Sequence, residues 1–336
     1  MKQTCLVAGG GGFIGGHLAR ELFRLGYEVR CVDLKPLDNW HLRTPGVEEL
    51  QLDLSNPTSC QTAVAGSEHV YNFAADMGGM GFIETHKAEC MLSVLINTNL
   101  LLAGRNKGIG RYFFASSACV YKAERQNEVN QAPLAESDAY PAMPEDGYGW
   151  EKLFSERMCR HFTEDFGLQT RVARFHNVYG PHGEWQGGRE KAPAAVCRKI
   201  ASVVASPNPS IEIWGDGEQT RSFTFIDDAV EGTLRLMQSD FGHPLNIGSS
   251  EMVSINGLVG IVEKLAGVRL ERNYDLTKPL GVRGRNSDNT LVNSMLGWEP
   301  STSLRHGMEK TYDWVRDQVA LSSPFPTPTS AQTQTK

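Results

Sequence analysis

The chain of 336 residues has no apolar run long enough to span a bilayer and no apolar leader ahead of its first strand, so a cytoplasmic protein without a membrane partner is expected. It also lacks a basic excess, with 33 Lys and Arg against 39 Asp and Glu and a formal charge of -6. That balance argues against a nucleic-acid partner, and any anionic substrate has to be gripped by a local cluster of cations. Cysteine is sparse: the seven are odd in number and show no metal-ligand spacing, so they read as reduced thiols and no metal site is expected. There is no internal repeat. What is present, 40% hydrophobic residues in a chain of this length, suits one large domain or two packed ones.

Leu6-Val7-Ala8 reads as a short buried strand, followed by Gly9-Gly10-Gly11-Gly12-Phe13-Ile14-Gly15 and a helical pattern from His17 to Leu25. Glycines at 9, 12 and 15 permit a tight turn, close approach to a pyrophosphate and close packing of helix on strand, with the phosphates at the helix N-terminus beside Phe13 and Ile14. The next strand, Tyr27 to Val32, ends in Asp33, eighteen residues past Gly15. A carboxylate there accepts both ribose hydroxyls and repels a 2′-phosphate, so the expected cofactor is NAD rather than NADP. A third strand, Glu49 to Leu52, delivers Asp53, which is either an adenine contact or a plain turn acid.

A fourth strand, Val70 to Ala75, opens into the Gly-Met-rich run Asp76 to Gly81, where bare backbone leaves room for a ligand. A helix from about Ala88 to Asn106 is expected to turn Asn99 toward the sheet, and a fifth strand from Arg111 delivers Ser116 and Ser117 to the same edge. The sixth, Thr170 to Phe175, ends in His176-Asn177, and Pro244 to Gly248 is expected to rejoin the sheet. This alternation specifies an α/β, Rossmann-type doubly wound parallel sheet with a smaller C-terminal lid. The expected division is 1–175 plus about 224–248 for the dinucleotide and about 176–223 plus 249–321 for the substrate, with a disordered tail over 322–336. His176 reads as structural, Asp216 as a turn residue and Asp227 as a helix N-cap.

The run Glu145 to Lys152 carries the chemistry. Tyr148 and Lys152 lie four apart at a helix start and so share a face, and a neighbouring ammonium is expected to draw a phenol pKa of about 10 toward neutrality. Ser117, Tyr148, Lys152 and the glycine turn together resemble the extended short-chain dehydrogenases/reductases, the NAD-using nucleotide-sugar epimerases and dehydratases. That resemblance implies a hydride relay, in which Lys152 binds the nicotinamide ribose, Ser117 holds the substrate hydroxyl and Tyr148 removes its proton.

Further runs narrow the likeness: Ala74 to Ile83, Ser116-Ser117-Ala118-Cys119, Arg174 to Asn177, Gly187 to Pro193, Trp214 to Gly217, Gln219 to Phe223 and Gly281 to Asp288. They resemble the branch of that family that inverts two carbons of GDP-mannose, over nearly all of residues 4 to 318. Ala8 and the four consecutive glycines are small departures that remove no needed group. The resemblance implies epimerisation of GDP-mannose at C3 and C5 to GDP-L-galactose, with GDP-L-gulose when C5 alone inverts. It implies Cys119 and Lys191 as the acid/base pair, and spacing alone cannot show that they face each other. It also implies substrate contacts from Gly78, Ser117, Ala118, Cys119, Asn177, Glu190, Lys191, Ala192, Lys199, Gln219, Thr220, Arg221 and Arg285, with Arg283 as the alternative diphosphate ligand, and a homodimer. The rival readings are another nucleotide-sugar 4-epimerase or 4,6-dehydratase, and a non-catalytic NAD-binding regulator.

Overall fold

The computed structural model describes residues 3–40, 42–278 and 281–322. The tail expected over 322–336 lies, past Ser322, outside the described residues.

The first half alternates β1 (Thr4–Ala8), α1 (Phe13–Arg24), β2 (Glu28–Asp33), β3 (Glu48–Gln51), α2 (Pro57–Val64), β4 (His69–Asn72), α3 (Met80–Thr85), α4 (Lys87–Lys107), β5 (Arg111–Ser117), α5 (Tyr148–Phe166) and β6 (Gln169–Phe175). The second half brings β7 (Val178–Tyr179), α6 (Ala192–Val203), β8 (Ser210–Trp214), β9 (Thr220–Ser222), β10 (Thr224–Phe225), α7 (Ile226–Gln238) and β11 (Pro244–Ile247). Last come β12 (Met252–Ser254), α8 (Ile255–Ala266), β13 (Glu271–Asp275), β14 (Gly284–Arg285), α9 (Thr290–Leu296) and α10 (Leu304–Ser322).

Seven strands pair in parallel in the order β11-β6-β5-β4-β1-β2-β3, so the direction of winding reverses beside β1, where open α/β sheets bind their ligands. The inner strands β1, β4 and β5 are largely buried on both faces, which explains their short apolar runs, whereas the edge strand β3 has no buried residue. In β1, Cys5 and Val7 join the core that α1 and α7 cover, while Leu6 and Ala8 join the one under α2 and α4. Small sheets β8–β13 and β12-β9-β14 stand beyond the carboxyl ends of these strands, and Arg285 comes from the last of them.

Three expectations are corrected. The fourth strand stops at Asn72 rather than Ala75, because the Asn72 side chain accepts the Ala74 N–H at 3.1 Å and takes the chain out of the ladder. The sheet-facing amide of α4 is Asn97, bonded to Asn72 and Tyr112, whereas Asn99 reaches the Ser55 carbonyl at 2.8 Å. Asp227 is not an N-cap: α7 begins one residue earlier, at Ile226, and it is Asp228, buried, that accepts the Ser301 and Thr302 amides.

Candidate functional site

The glycine turn is built as a cradle. Gly9, at φ +81°, donates to the Val32 carbonyl at 2.8 Å, and Gly12 donates back to Gly9 at 3.0 Å. A Cβ on Gly15 would overlap the Gly9 carbonyl, so only glycine lets α1 start this close to β1. Gly12 caps α1 with no side chain, leaving the first-turn amides around Phe13 and Ile14 for an outside acceptor. Neutral amides at a helix N-terminus suit a pyrophosphate, and the residues present therefore fit a dinucleotide. Asp33 stands at the end of β2 beside the turn, accepting the Gly11 and Lys35 amides at 3.1 and 3.0 Å. Asp53 is exposed after β3 and accepts the Ser55 amide at 2.8 Å, a turn contact that leaves its second oxygen free of that bond.

At the end of β5, Ser117 caps a single 3-10 turn, Ala118–Val120, accepting the Cys119 amide at 3.2 Å. Helix α5 starts directly against that turn, and a Cβ on Gly149 would overlap the Cys119 carbonyl. Tyr148, buried, points into the same space with its phenol in hydrogen-bonding reach of Ser117. Lys152 follows one turn later, its Nζ 5.4 Å from the Tyr148 ring centroid and 4.8 Å from that of Phe114.

The expected drop in the Tyr148 pKa is not what this environment produces. Burial pushes the phenol well above its ordinary range, Cys119 and Glu151 push it further, and the Ser117 hydrogen bond opposes them. Lys152 does not relieve this, because its ammonium lies over ring faces and is matched by the buried Glu151 carboxylate at 3.4 Å.

Cys119, 7% exposed, packs in one cluster with Tyr148, Phe82 and Met80. Arg285 Nη1 donates to its Sγ at 3.7 Å, and the rest of that guanidinium is held by Gln126 and Glu145. Lys191 sits at the head of α6, in electrostatic reach of both Cys119 and Arg285. Burial raises the Cys119 thiol pKa and lowers that of the Lys191 ammonium, so the uncharged form of each is favoured. Ser117, Cys119, Tyr148, Lys152, Lys191 and Arg285 are therefore linked at the end of β5 by hydrogen-bond, ring and electrostatic contacts, with Ala118 between Ser117 and Cys119.

The remaining expected contacts line the approaches to this group. Gly78 and Gly79 lie against the backbone of Arg189 and Glu190, and Arg189 is latched to Asp76 at 2.7 Å and lies 3.8 Å over the Phe82 ring. Glu190 is held by Arg198 and the Gly188 amide, and Ala192 opens α6. Asn177, at φ 44°, donates to the Ser222 carbonyl. Gln219 donates to the Trp214 carbonyl while its side-chain oxygen is buried without a hydrogen bond. Thr220 donates to Val129, and Arg221 donates to the Thr220 and Val282 carbonyls with burial lowering its pKa to about 10. Lys199 is farther along α6, on the Glu212 carbonyl at 2.8 Å. Arg283 lies outside the pocket, bidentate to Asp216 at 2.9 and 3.0 Å, and Asp216 also accepts the Glu218 amide as a turn residue does. His176 is fully buried on Asn246 with its pKa lowered to about 3, as a structural histidine. Glu145, Gln126 and Glu151 were not singled out in the sequence; no spacing rule points to a carboxylate three residues ahead of the tyrosine.

Among known proteins the chain is 48% identical to GDP-mannose 3,5-epimerase 1 of Oryza sativa subsp. japonica over 319 residues, 95% of this chain and 83% of that one. It is 47% identical to the GDP-mannose 3,5-epimerase of Arabidopsis thaliana, over 93% of this chain and 82% of that one. Its fold is that of the UDP-glucose 4-epimerase of Thermotoga maritima, with a TM-score of 0.85 at 24% identity, covering 94% of this chain and 100% of that one. The model of the NAD dependent epimerase/dehydratase family matches residues 5–248, from β1 through the glycine turn and the Tyr148–Lys152 pair to the Gly248 that follows β11. Because that span carries the whole central sheet and its cofactor turn, the chain belongs to the NAD-dependent epimerase/dehydratase family, and its cofactor is NAD.

Proposed function

We infer that the chain epimerises GDP-mannose at C3 and C5, giving GDP-L-galactose, with GDP-L-gulose when C5 alone inverts. The observation that supports this is that Cys119 packs in one cluster with Tyr148 while Lys191 lies in electrostatic reach of the same sulfur; the likeness to the rice and Arabidopsis enzymes supports it as well. NAD at the glycine turn supplies the two-electron acceptor and later the donor. Tyr148 Oη accepts the C4 hydroxyl proton as the C4 hydrogen departs with its bonding pair, and Ser117 orients that hydroxyl. The resulting ketone acidifies the C–H bonds at C3 and C5. Lys191, whose pKa burial lowers, takes a proton from one face, and Cys119, whose pKa burial raises, returns one to the other; exchange with solvent resets both groups before the second carbon inverts. Arg221 lends positive charge to the approach of the diphosphate, whereas the Arg285 guanidinium is taken up by Cys119, Gln126 and Glu145.

Incubation with GDP-mannose in D₂O tests this. Deuterium is expected at C3 and C5 of GDP-L-galactose and at C5 of GDP-L-gulose, and at C6 of neither. Loss of water with deuterium at C5 and none at C3 marks a dehydratase, whose hydride returns from NADH to C6; absence of any exchange marks a 4-epimerase if a product forms and a non-catalytic NAD-binding protein if none does, and each of these results sinks the reading.

The working unit is proposed to be a homodimer joined through α4 and α5. These two helices pack on each other and expose Met91, Leu92, Leu95, Trp150 and Phe154, large apolar side chains that a second copy would cover. Light scattering is expected to give twice the chain mass, and Leu95→Glu with Phe154→Glu to give the single mass; a monomeric parent at micromolar concentration removes the proposal. Seven free, buried thiols suit a reducing compartment such as the cytoplasm. Among the described residues no helix is long and apolar enough to cross a membrane.

A further inference from the structure

Two contacts converge on Cys119 from residues far apart in the chain. Its carbonyl accepts the Glu145 amide at 3.0 Å, and its Sγ accepts Arg285 Nη1 at 3.7 Å. The same guanidinium donates through Nε to Gln126 at 2.6 Å and through Nη2 to the Glu145 carboxylate. Glu145 thus holds the backbone of the thiol residue with one group and the cation on its sulfur with another. Arg285 is 4% exposed, so these charges interact with little solvent screening.

A guanidinium alone beside sulfur stabilises the thiolate, whereas a carboxylate clamped to that guanidinium offsets much of the effect. The charged and titratable groups facing the sulfur come from every side of the pocket: Tyr148 from α5, Lys191 from α6, Arg221 from β9, Arg285 from β14 and Glu145 ahead of α5. Ser117, from the end of β5, adds a neutral hydroxyl. Burial and Glu145 favour the protonated thiol, and Arg285 and Ser117 oppose them.

We propose that Glu145 is a positioning residue for the proton exchange: it seats Arg285 against Cys119 and balances its charge, so that the sulfur rests as a thiol with a cation already in place for the thiolate formed on proton donation. The step balances within the pocket, with the S–H bond breaking to give its proton to the sugar carbon and the electron pair staying on sulfur beside Arg285. This rests on Cys119 being the proton donor, but its test needs no sugar.

Cleavage after Arg111 and Lys122 leaves Cys119 as the sole cysteine of its peptide, so its alkylation by iodoacetamide can be followed against pH by mass spectrometry in the full, NAD-loaded chain. The other six thiols fall in other peptides, so their alkylation does not enter the Cys119 signal. Glu145→Gln is expected to move the alkylation midpoint down by about one pH unit, an approximately tenfold gain in rate at pH 7. Glu145→Asp, which keeps the charge, should hold the parental midpoint, and Arg285→Gln should move it up. An unmoved midpoint in Glu145→Gln overturns the proposal, as does a change confined to the plateau rate, which would make Glu145 a matter of access. A moved midpoint in a chain inert toward GDP-mannose would strike the substrate reading and leave the role of Glu145 standing.

Discussion

Cys119→Ala is expected to stop inversion while leaving C4 oxidation running. Losing a positioned proton donor costs about 10²–10⁴-fold in rate, so neither GDP-L-galactose nor GDP-L-gulose should form at a useful rate. The residues assigned to the first step, Tyr148, Ser117 and Lys152, are untouched, so the near-ultraviolet absorbance of NADH should appear on adding GDP-mannose and persist. The substitution removes one buried sulfur, at a stability cost of about 1 kcal/mol, too little to unfold the chain. Product formation at the parental rate would remove Cys119 from the acid/base pair.

Tyr148→Phe is expected to fail earlier. The ring still packs in the cluster with Cys119 and Phe82, so the pocket keeps its shape, but the oxygen that accepts the C4 proton is gone. Oxidation should fall by about 10²–10⁴-fold, with no NADH absorbance on adding substrate. The parent should show the sign of the same group: its pKa is raised in the fold, so the phenolate is scarce at neutral pH and the oxidation step should speed up as pH rises toward that value. Normal NADH accumulation in the Phe variant would mean that another base operates. Comparing the two variants separates the reading of the dyad from that of the acid/base pair, since one stalls with reduced cofactor and the other with none.

How much of this was legible in the sequence depended on how far apart the interacting residues lie. The glycine turn, Asp33 and the Tyr148–Lys152 pair are local patterns, in which a turn or one helical repeat sets the geometry. Within α4 the phase was harder to read: Leu100-Leu101-Leu102 is apolar all round, so periodicity did not separate buried Asn97 from Asn99. The Tyr148 pKa runs against the sequence expectation first because the phenol is buried, which helix phase does not reveal, and then because Cys119 and Glu151 lie near it, the Glu151 carboxylate also matching the Lys152 ammonium. The meeting of Cys119 with Lys191 was implied by family likeness alone, and Arg285 was assigned to the diphosphate because nothing in a linear reading brings it to a sulfur.

That last contact spans 166 positions and joins the end of a central strand to a small sheet beyond it. The dinucleotide half is written first and the guanidinium that steadies the sulfur is written near the end. During synthesis, then, a ribosome-bound chain ending after β11 already owns its cofactor turn and its tyrosine, but not the finished inversion pocket; the order of translation itself keeps the most reactive assembly until last.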